Sequence, residues 1–554
     1  MFDPIGGFLR VRELFITYLE TAFRIGDDGV SRERRALLET PGALCTDPLL
    51  EPLPRYKTVD WSLRELAAAD GGPLAHLTAD TRRAFVRLAA SGLFDGDDVR
   101  LYRHQASMLE HGTRSGRPGI VTSGTGSGKT EAFLLPVLAE ILREAKADSW
   151  SKPSASYLKQ GWWHSDDGKP YESFSAIPQT LRPLKKNPEA DPFRLHRNGE
   201  GEGRAAAVRC LVLYPMNALV EDQLSRLRKA LDSNRARAVL DEEIAGNRIF
   251  FGRYTSDTPV TGFNVHPRAV PIADYQRRGR KLENLFEEMV QFQRTQREVG
   301  KRCADPASGL DEDDRFLFPS VDGAELLSRW DMQRTPPDIL ITNVSMLGAM
   351  LNREVDEPLF ATTKQWLMSR DDAYFYLVLD ELHLQRGAAG TEVAYLLRLL
   401  LHRLGLTDPK HRHKVRILAS SASLPVDGEE AARSRAYLWD MFGSFGTWTA
   451  QGEHASGPDG WATAIVPGEP EPERPQSVGH LPADPFVEFL RQHGGTETEP
   501  ARVAIEQRTE HARRVDAREA QPLDVPARCH ERHRLAVGQE SVVTDVGERR
   551  PPGD

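Results

Sequence analysis

The stretch Thr122–Glu131 reads TSGTGSGKTE, and its reading decides the fold. Glycines at 124, 126 and 128 let a backbone turn tightly with its N–H groups pointing inward, and a helix that starts there presents its positive end to an anion. Lys129 is placed to reach terminal phosphates, and Thr130 carries a hydroxyl suited to Mg²⁺ in a nucleoside-triphosphate site. The apolar run Gly119-Ile120-Val121 predicts a short buried strand ahead of the loop. Phe133, Val137, Leu138, Ile141 and Leu142 predict an amphipathic helix behind it. The pattern G-x-x-x-x-G-K-[ST] has one departure, Ser123 in place of its first glycine. A Gly/Ser-rich turn that happens to hold a lysine is the plain alternative, and the flanking strand and helix argue against it. Ser123, Gly124, Thr125, Gly126, Ser127, Gly128, Lys129 and Thr130 are therefore the candidate nucleotide-binding residues.

Working outward, 554 residues with 40% apolar and 28% charged content suit a globular chain of two to four domains. No apolar run of membrane-spanning length and no signal-peptide pattern appear, so the expected location is the cytoplasm, with no membrane partner. Cys45, Cys210, Cys303 and Cys529 form no C-x-x-C pair, which indicates neither a disulfide framework nor a zinc ribbon. Cys529-His530-Glu531-Arg532-His533 lacks a second ligand cluster and is set aside as a metal site. A net charge of −9 excludes a wholly basic nucleic-acid binder but allows a local basic groove.

Residues 1 to 100 carry short helical patterns such as Phe8 to Phe23 and no chemistry, and read as a helical accessory segment. At Leu101 the sequence Leu-Tyr-Arg-His-Gln opens a helix, and Gln105 offers the donor and acceptor that reading an adenine edge requires. Residues 147–205 and 261–334 read as insertions. The first mixes Trp, Lys and Arg, as in Gly161-Trp162-Trp163-His164 and Arg182-Pro183-Leu184-Lys185-Lys186, and fits either a nucleic-acid contact or a surface insertion. The second contains a helical stretch from Leu282 to Val299. Between and after them, strands are predicted at 208–214, ended by Pro215, and at 249–254, 338–342, 374–379 and 415–419, each followed by polar residues. About six strands alternating with helices signify a parallel α/β sheet covered on both faces, whose ligands bind at the carboxyl ends of the strands.

Asp380 and Glu381 directly follow the apolar strand Tyr374 to Leu379. Adjacent acids there can divide the work, Asp380 holding Mg²⁺ and Glu381 orienting and deprotonating water. Taken with TSGTGSGKTE (122–131), LYPMNALVEDQ (213–223), RYTSDTP (253–259), DILITN (338–343), DELHLQRGAAGTEVAYLLRLL (380–400) and SSAS (420–423), the chain resembles superfamily 2 helicases of the DEAD/DEAH-box type. It looks closest to the Lhr-like and RecQ-like groups, over residues 101 to 448. The resemblance implies a RecA-like P-loop domain that couples ATP·Mg²⁺ to movement on nucleic acid, DNA in preference to RNA, in DNA repair or phage defence. It implies that Gln105 reads adenine, that Lys129, Thr130, Asp380 and Glu381 carry ATP·Mg²⁺ and its hydrolysis, and that His383 couples the nucleotide to Ser421 and Ser423. It also implies that Pro215, Asn217, Gln223, Thr258, Thr342 and Asn343 lie near the nucleic-acid backbone. Ser423 stands where these helicases usually have threonine, and Leu382 replaces the more frequent alanine.

Helicases of this kind use two RecA-like domains, the second supplying an arginine finger. After Trp448 the chain turns to Gly, Pro and Glu, as in Val466-Pro467-Gly468-Glu469-Pro470, with no further strand–helix alternation, so residues 449–554 read as a linker and disordered tail. The expectation is a single motor domain, with the arginine-rich, lysine-free tail after about Glu499 translated out of frame, or with a separate second motor domain or other repair or defence subunits as partners. A nucleotide-gated binding module without turnover is the alternative.

Overall fold

The structure is a computed structural model. It describes residues 4–471 apart from 41, 46–53, 69–71, 115, 125, 149, 151–161, 166, 179–203, 216–217, 261–271, 306–307, 309–311 and 450. Two compact units are present. One comprises Met1–Pro54 together with Pro472–Asp554, the other Arg55–Glu471. The described part of the first is a helix pair, Pro4–Ala22 and Asp28–Glu39. The Asp27 carboxylate caps the second helix by accepting from the Gly29 and Val30 N–H groups, and Arg35 ties the pair by reaching Glu13 and Glu20.

The second unit is built on eight strands: β1 Gly119–Thr122, β2 Cys210–Tyr214, β3 Phe251–Tyr254, β4 Glu325–Leu326, β5 Ile339–Asn343, β6 Phe375–Leu379, β7 Val415–Ser421 and β8 Ile465–Pro467. Their order across the sheet is β4-β3-β5-β2-β6-β7-β1-β8, and every pairing is parallel. The central runs CLVLY, FYLVL and VRILASS are buried along their whole length, as strands covered on both faces must be. Helices Arg103–Thr113 and Lys129–Ala147 pack together, as do Val344–Asn352, Gly387–Arg403 and Gly428–Phe442. This is the parallel α/β sheet that the alternating pattern predicts.

All of the strands read from the sequence are present, and β4 and β8 are additional. Both are edge strands of two or three residues, too short for a periodic signal. β4 lies inside the 261–334 stretch, and its Glu325 is held by the Arg228 guanidinium at 2.6 Å. β8 lies in the Gly/Pro/Glu-rich stretch read as a linker, where Ile465 and Val466 pair with Ile120 and Val121. The two insertions meet in a second core: Trp162 and Trp163 are buried with Leu285, Phe286 and Met289 of helix Ile272–Cys303. The Trp162-Trp163 pair is thus core, not a base-stacking platform. Arg182 to Lys186 and the whole tail from Pro472 lie outside the described residues. Among the described residues no helix is long and apolar enough to cross a membrane.

Candidate nucleotide site

The order of strands brings the motifs together. β7 lies between β1 and β6, so the phosphate loop after β1, the acids after β6 and the Ser420–Ser423 turn after β7 share one carboxyl edge. Lys129 Nζ stands 3.6 Å from Glu381 Oε1, nearly buried and without a hydrogen-bond partner. Gly128, at φ +72°, opens the following helix, and a Cβ there would come within 2.4 Å of Gln105 Nε2. Only glycine fits this corner.

The loop is held from beneath by the helix that precedes β1. Gln105 Nε2 donates to the Gly128 carbonyl at 3.2 Å, while its Oε1 accepts the Tyr102 N–H at 3.0 Å. Gln105 is buried, and the contacts it makes here are with backbone. His104 Nε2 lies 2.8 Å from the Ser127 carbonyl, so that nitrogen carries the proton. Burial pushes the His104 pKa down, the Ser127 carbonyl pulling the other way. Ser123 Oγ and Ser127 Oγ are 2.6 Å apart across the loop, and the Tyr56 hydroxyl accepts the Gly124 N–H at 3.0 Å. Gly126 is at φ +74°, and Thr125 lies outside the described residues.

Asp380 is buried, and burial raises its pKa. A hydrogen bond from the Ser420 hydroxyl lowers it, Glu381 raises it and Lys129 lowers it. The Ser420 Oγ also accepts the Glu381 N–H at 3.1 Å, alongside Asp380 Oδ1 at 3.0 Å. These bonds fix Glu381 at φ +49°, a left-handed conformation that a non-glycine residue holds only where its surroundings impose it. His383 Nδ1 accepts the Ala422 N–H at 3.3 Å and lies 3.3 Å from Glu381 Oε2. Burial lowers the His383 pKa against the pull of Glu381, which agrees with an unprotonated Nδ1. The Ser423 N–H reaches Ser421 Oγ at 3.3 Å, and Arg386 Nη2 donates to Ser423 Oγ at 3.2 Å. Ser421 is buried, pairing with Thr122 across the strands.

The residues expected along nucleic acid divide differently. Gln223 is buried and donates to Thr130 Oγ1 at 2.9 Å, so it belongs to the nucleotide side. The reason is helical phase: its helix, Ala218–Asp232, turns Gln223 toward Thr130. Thr258 is buried, its hydroxyl donating to the Arg253 carbonyl at 2.7 Å and accepting the Thr255 N–H at 3.0 Å. Thr342 is buried and bonds the Tyr254 carbonyl at 2.6 Å, stitching β5 to β3. Asn343 caps helix Val344–Asn352 through Met346 N. Pro215 is half-buried at the end of β2, and Asn217 lies outside the described residues.

Sequence reasoning missed Tyr56, His104, Arg386 and Ser420. His104 adjoins Gln105, and Ser420 is the first residue of SSAS, so local signals existed. Tyr56 stands 68 positions from the glycine it contacts and gave none.

Residues 102–249 match the DEAD/DEAH box helicase family. The match runs from Tyr102 through the phosphate loop and β2 to Ile249. Over 445 residues the chain is 28% identical to the Druantia protein DruE of Escherichia coli (strain UMEA 4076-1), covering 75% of this chain. The chain spans 20% of that relative's length. Among solved structures it is similar to the DUF1998 helicase MrfA bound to DNA, at 14% identity and a TM-score of 0.32, over 82% of this chain and 36% of that one. MrfA alone gives 16% identity and the same TM-score, over 80% and 42%. The helicase-type domain thus holds the phosphate loop, while the acids and the SSAS turn lie beyond the matched residues.

Proposed function

We propose that the chain is the ATP-binding motor domain of a nucleic-acid helicase or translocase of superfamily 2, nearest the Lhr-like and RecQ-like groups. The observation that carries this reading is Lys129: a cation nearly buried at the mouth of a glycine-rich loop, with no hydrogen-bond partner and a carboxylate at 3.6 Å. A buried ammonium without a hydrogen bond is costly unless an anion completes it, and triphosphate oxygens fit that need. Lys129 and the loop N–H groups hold the terminal phosphates. Glu381 accepts the proton of the attacking water, being kept close to Lys129 and in a fixed backbone conformation.

The donor set also suits Mg²⁺. Thr130 and Asp380 supply a hydroxyl and a carboxylate, and among the described residues no group of three or more His, Cys, Asp or Glu competes as a metal cage. That is how Mg²⁺ is usually held beside substrate phosphates, where it neutralises charge developing on them. Ser420 keeps Asp380 and Glu381 in register, and His383, Arg386 and Ser423 link the acids to the turn after β7. A second motor domain, in the same protein or a partner subunit, supplies the remaining half of the ATP site and the movement along nucleic acid, DNA in preference to RNA.

The test is phosphate release by the purified chain, with and without single- and double-stranded DNA or RNA. Release that nucleic acid stimulates and that Glu381→Gln abolishes supports the motor reading. Saturable ATP binding with no release under any of these conditions, even when a second motor domain is supplied, favours a binding module.

A further inference from the structure

The phosphate loop has a support that none of the helicase motifs contains. Residues 55–59 run extended between two other segments. Lys57 N donates to the Glu469 carbonyl at 2.8 Å and Glu471 N to the Arg55 carbonyl at 2.6 Å on one side, while Val59 N donates to the Leu101 carbonyl and Arg103 N to the Lys57 carbonyl, both at 2.9 Å, on the other. Glu469 reinforces the strap by ion pairs with Arg103 at 3.0 Å and Lys57 at 3.4 Å. Gly468 N donates to the Thr122 carbonyl at 2.7 Å, which lays the strap on the root of the loop. The fit is close: a Cβ on Gly468 would stand 2.7 Å from both Ser123 Cβ and Tyr56 Cε1.

Tyr56 joins this strap to the loop at two points. Its hydroxyl takes the Gly124 N–H directly. Its ring lies edge-on to His104, centroids 5.3 Å apart, and His104 is the residue that holds the Ser127 carbonyl. Tyr102 closes the cluster, stacked on His104 at 5.4 Å. Both ends of the curve from Gly124 to Ser127 are thereby set by one aromatic cluster. The compact unit also begins at Arg55 and ends at Glu471, so both of its chain crossings leave from this strap.

We propose that Tyr56 is a positioning residue for the phosphate loop, and that through it nucleotide binding and the ordering of the 55–59/468–471 strap stabilise each other. This rests on the reading that the loop binds nucleoside triphosphate. Because coupling between two sites is reciprocal, a ligand that prefers the braced loop must tighten the strap.

The experiment pairs an equilibrium titration with a fluorescent ATP analogue and hydrogen exchange of the strap amides. Tyr56→Phe keeps the ring and removes the hydroxyl. It should weaken the analogue about five- to tenfold, the effect of losing one part-buried hydrogen bond, that to the Gly124 N–H. In the wild type the analogue should slow exchange in peptides covering residues 55–59 and 468–471, and in Tyr56→Phe that protection should be largely lost. Gly468→Ala, which pushes the strap away with Tyr56 intact, should act in the same direction. Equal or tighter binding by Tyr56→Phe, or strap exchange indifferent to nucleotide in the wild type, overturns the proposal while leaving the loop's own assignment standing. Binding that is absent in the wild type, or unmoved by Lys129→Ala, overturns both.

Discussion

Replacing Glu381 by glutamine should tighten ATP binding, and the structure sets the scale. In the free protein the Glu381 carboxylate faces Lys129 at 3.6 Å, with the two side chains 24% and 10% exposed. Terminal phosphates must displace that pairing and then sit beside the carboxylate's negative charge. At 3.6 Å a unit-charge interaction amounts to about 1 kcal/mol in a water-like dielectric and about 4 to 5 kcal/mol at an effective dielectric near 20. Partial exposure puts this pair between those limits, at roughly 1.5 to 2.5 kcal/mol. Removing the charge should therefore strengthen ATP binding about 10- to 50-fold. The amide cannot accept the water's proton, so hydrolysis should vanish together with the gain in affinity. Equilibrium titration of a fluorescent ATP analogue into wild type and Glu381→Gln measures the first effect, with adenosine as the control that should not respond. Equal or weaker ATP affinity in Glu381→Gln would refute the claim that this carboxylate competes with phosphate for Lys129.

Ser420→Ala removes the hydroxyl that donates to Asp380 and accepts from Glu381. A hydrogen bond to a charged group is worth about 1.5 to 3 kcal/mol, so the Mg²⁺-dependent part of ATP affinity should fall about 10- to 100-fold while affinity in a chelator stays near wild type. An equal loss with and without metal would contradict the assigned role. Burial lowers the His104 pKa, so the folded protein binds fewer protons at this site than the unfolded chain. That contribution to stability is complete above the ordinary histidine pKa of about 6.5 and is lost as pH falls below it. The melting temperature of His104→Gln should accordingly drop less than that of wild type between about pH 7 and pH 5, and parallel curves would refute the burial argument. Nucleic-acid binding by this chain should be steeply salt-dependent and nearly indifferent to sequence, because a motor domain of this kind contacts mainly phosphates. A base preference that survives rising salt in fluorescence anisotropy would contradict it.

Much of this architecture is legible in the sequence, for physical reasons that also explain the exceptions. The runs around Val121, Val212 and Val378 must be strands buried on both faces, since they are apolar without alternation and end in polar residues or, after Tyr214, in proline. β4 and β8 escape such reading because two or three residues at a sheet edge carry no period. At the site, the meeting of Lys129 with Asp380 and Glu381 is legible because the loop and the acids each directly follow a strand of one parallel sheet. The contact of Gln223 with Thr130 is not legible, since the two are 93 positions apart and which side of the helix faces Thr130 depends on packing between elements. Thr258 and Thr342 show the same limit, with hydroxyls that satisfy backbone groups in their own loop and across the sheet.

The central claim is that the loop from Ser123 to Thr130 holds a nucleoside triphosphate through Lys129. Calorimetric titration of ATP·Mg²⁺ into the wild-type chain and into Lys129→Ala tests it most directly. The account predicts saturable one-to-one binding in the wild type and a loss of at least about 100-fold in Lys129→Ala, since a buried charge-assisted contact disappears. Heat of binding that is the same in both proteins, or absent from the wild type, would contradict it.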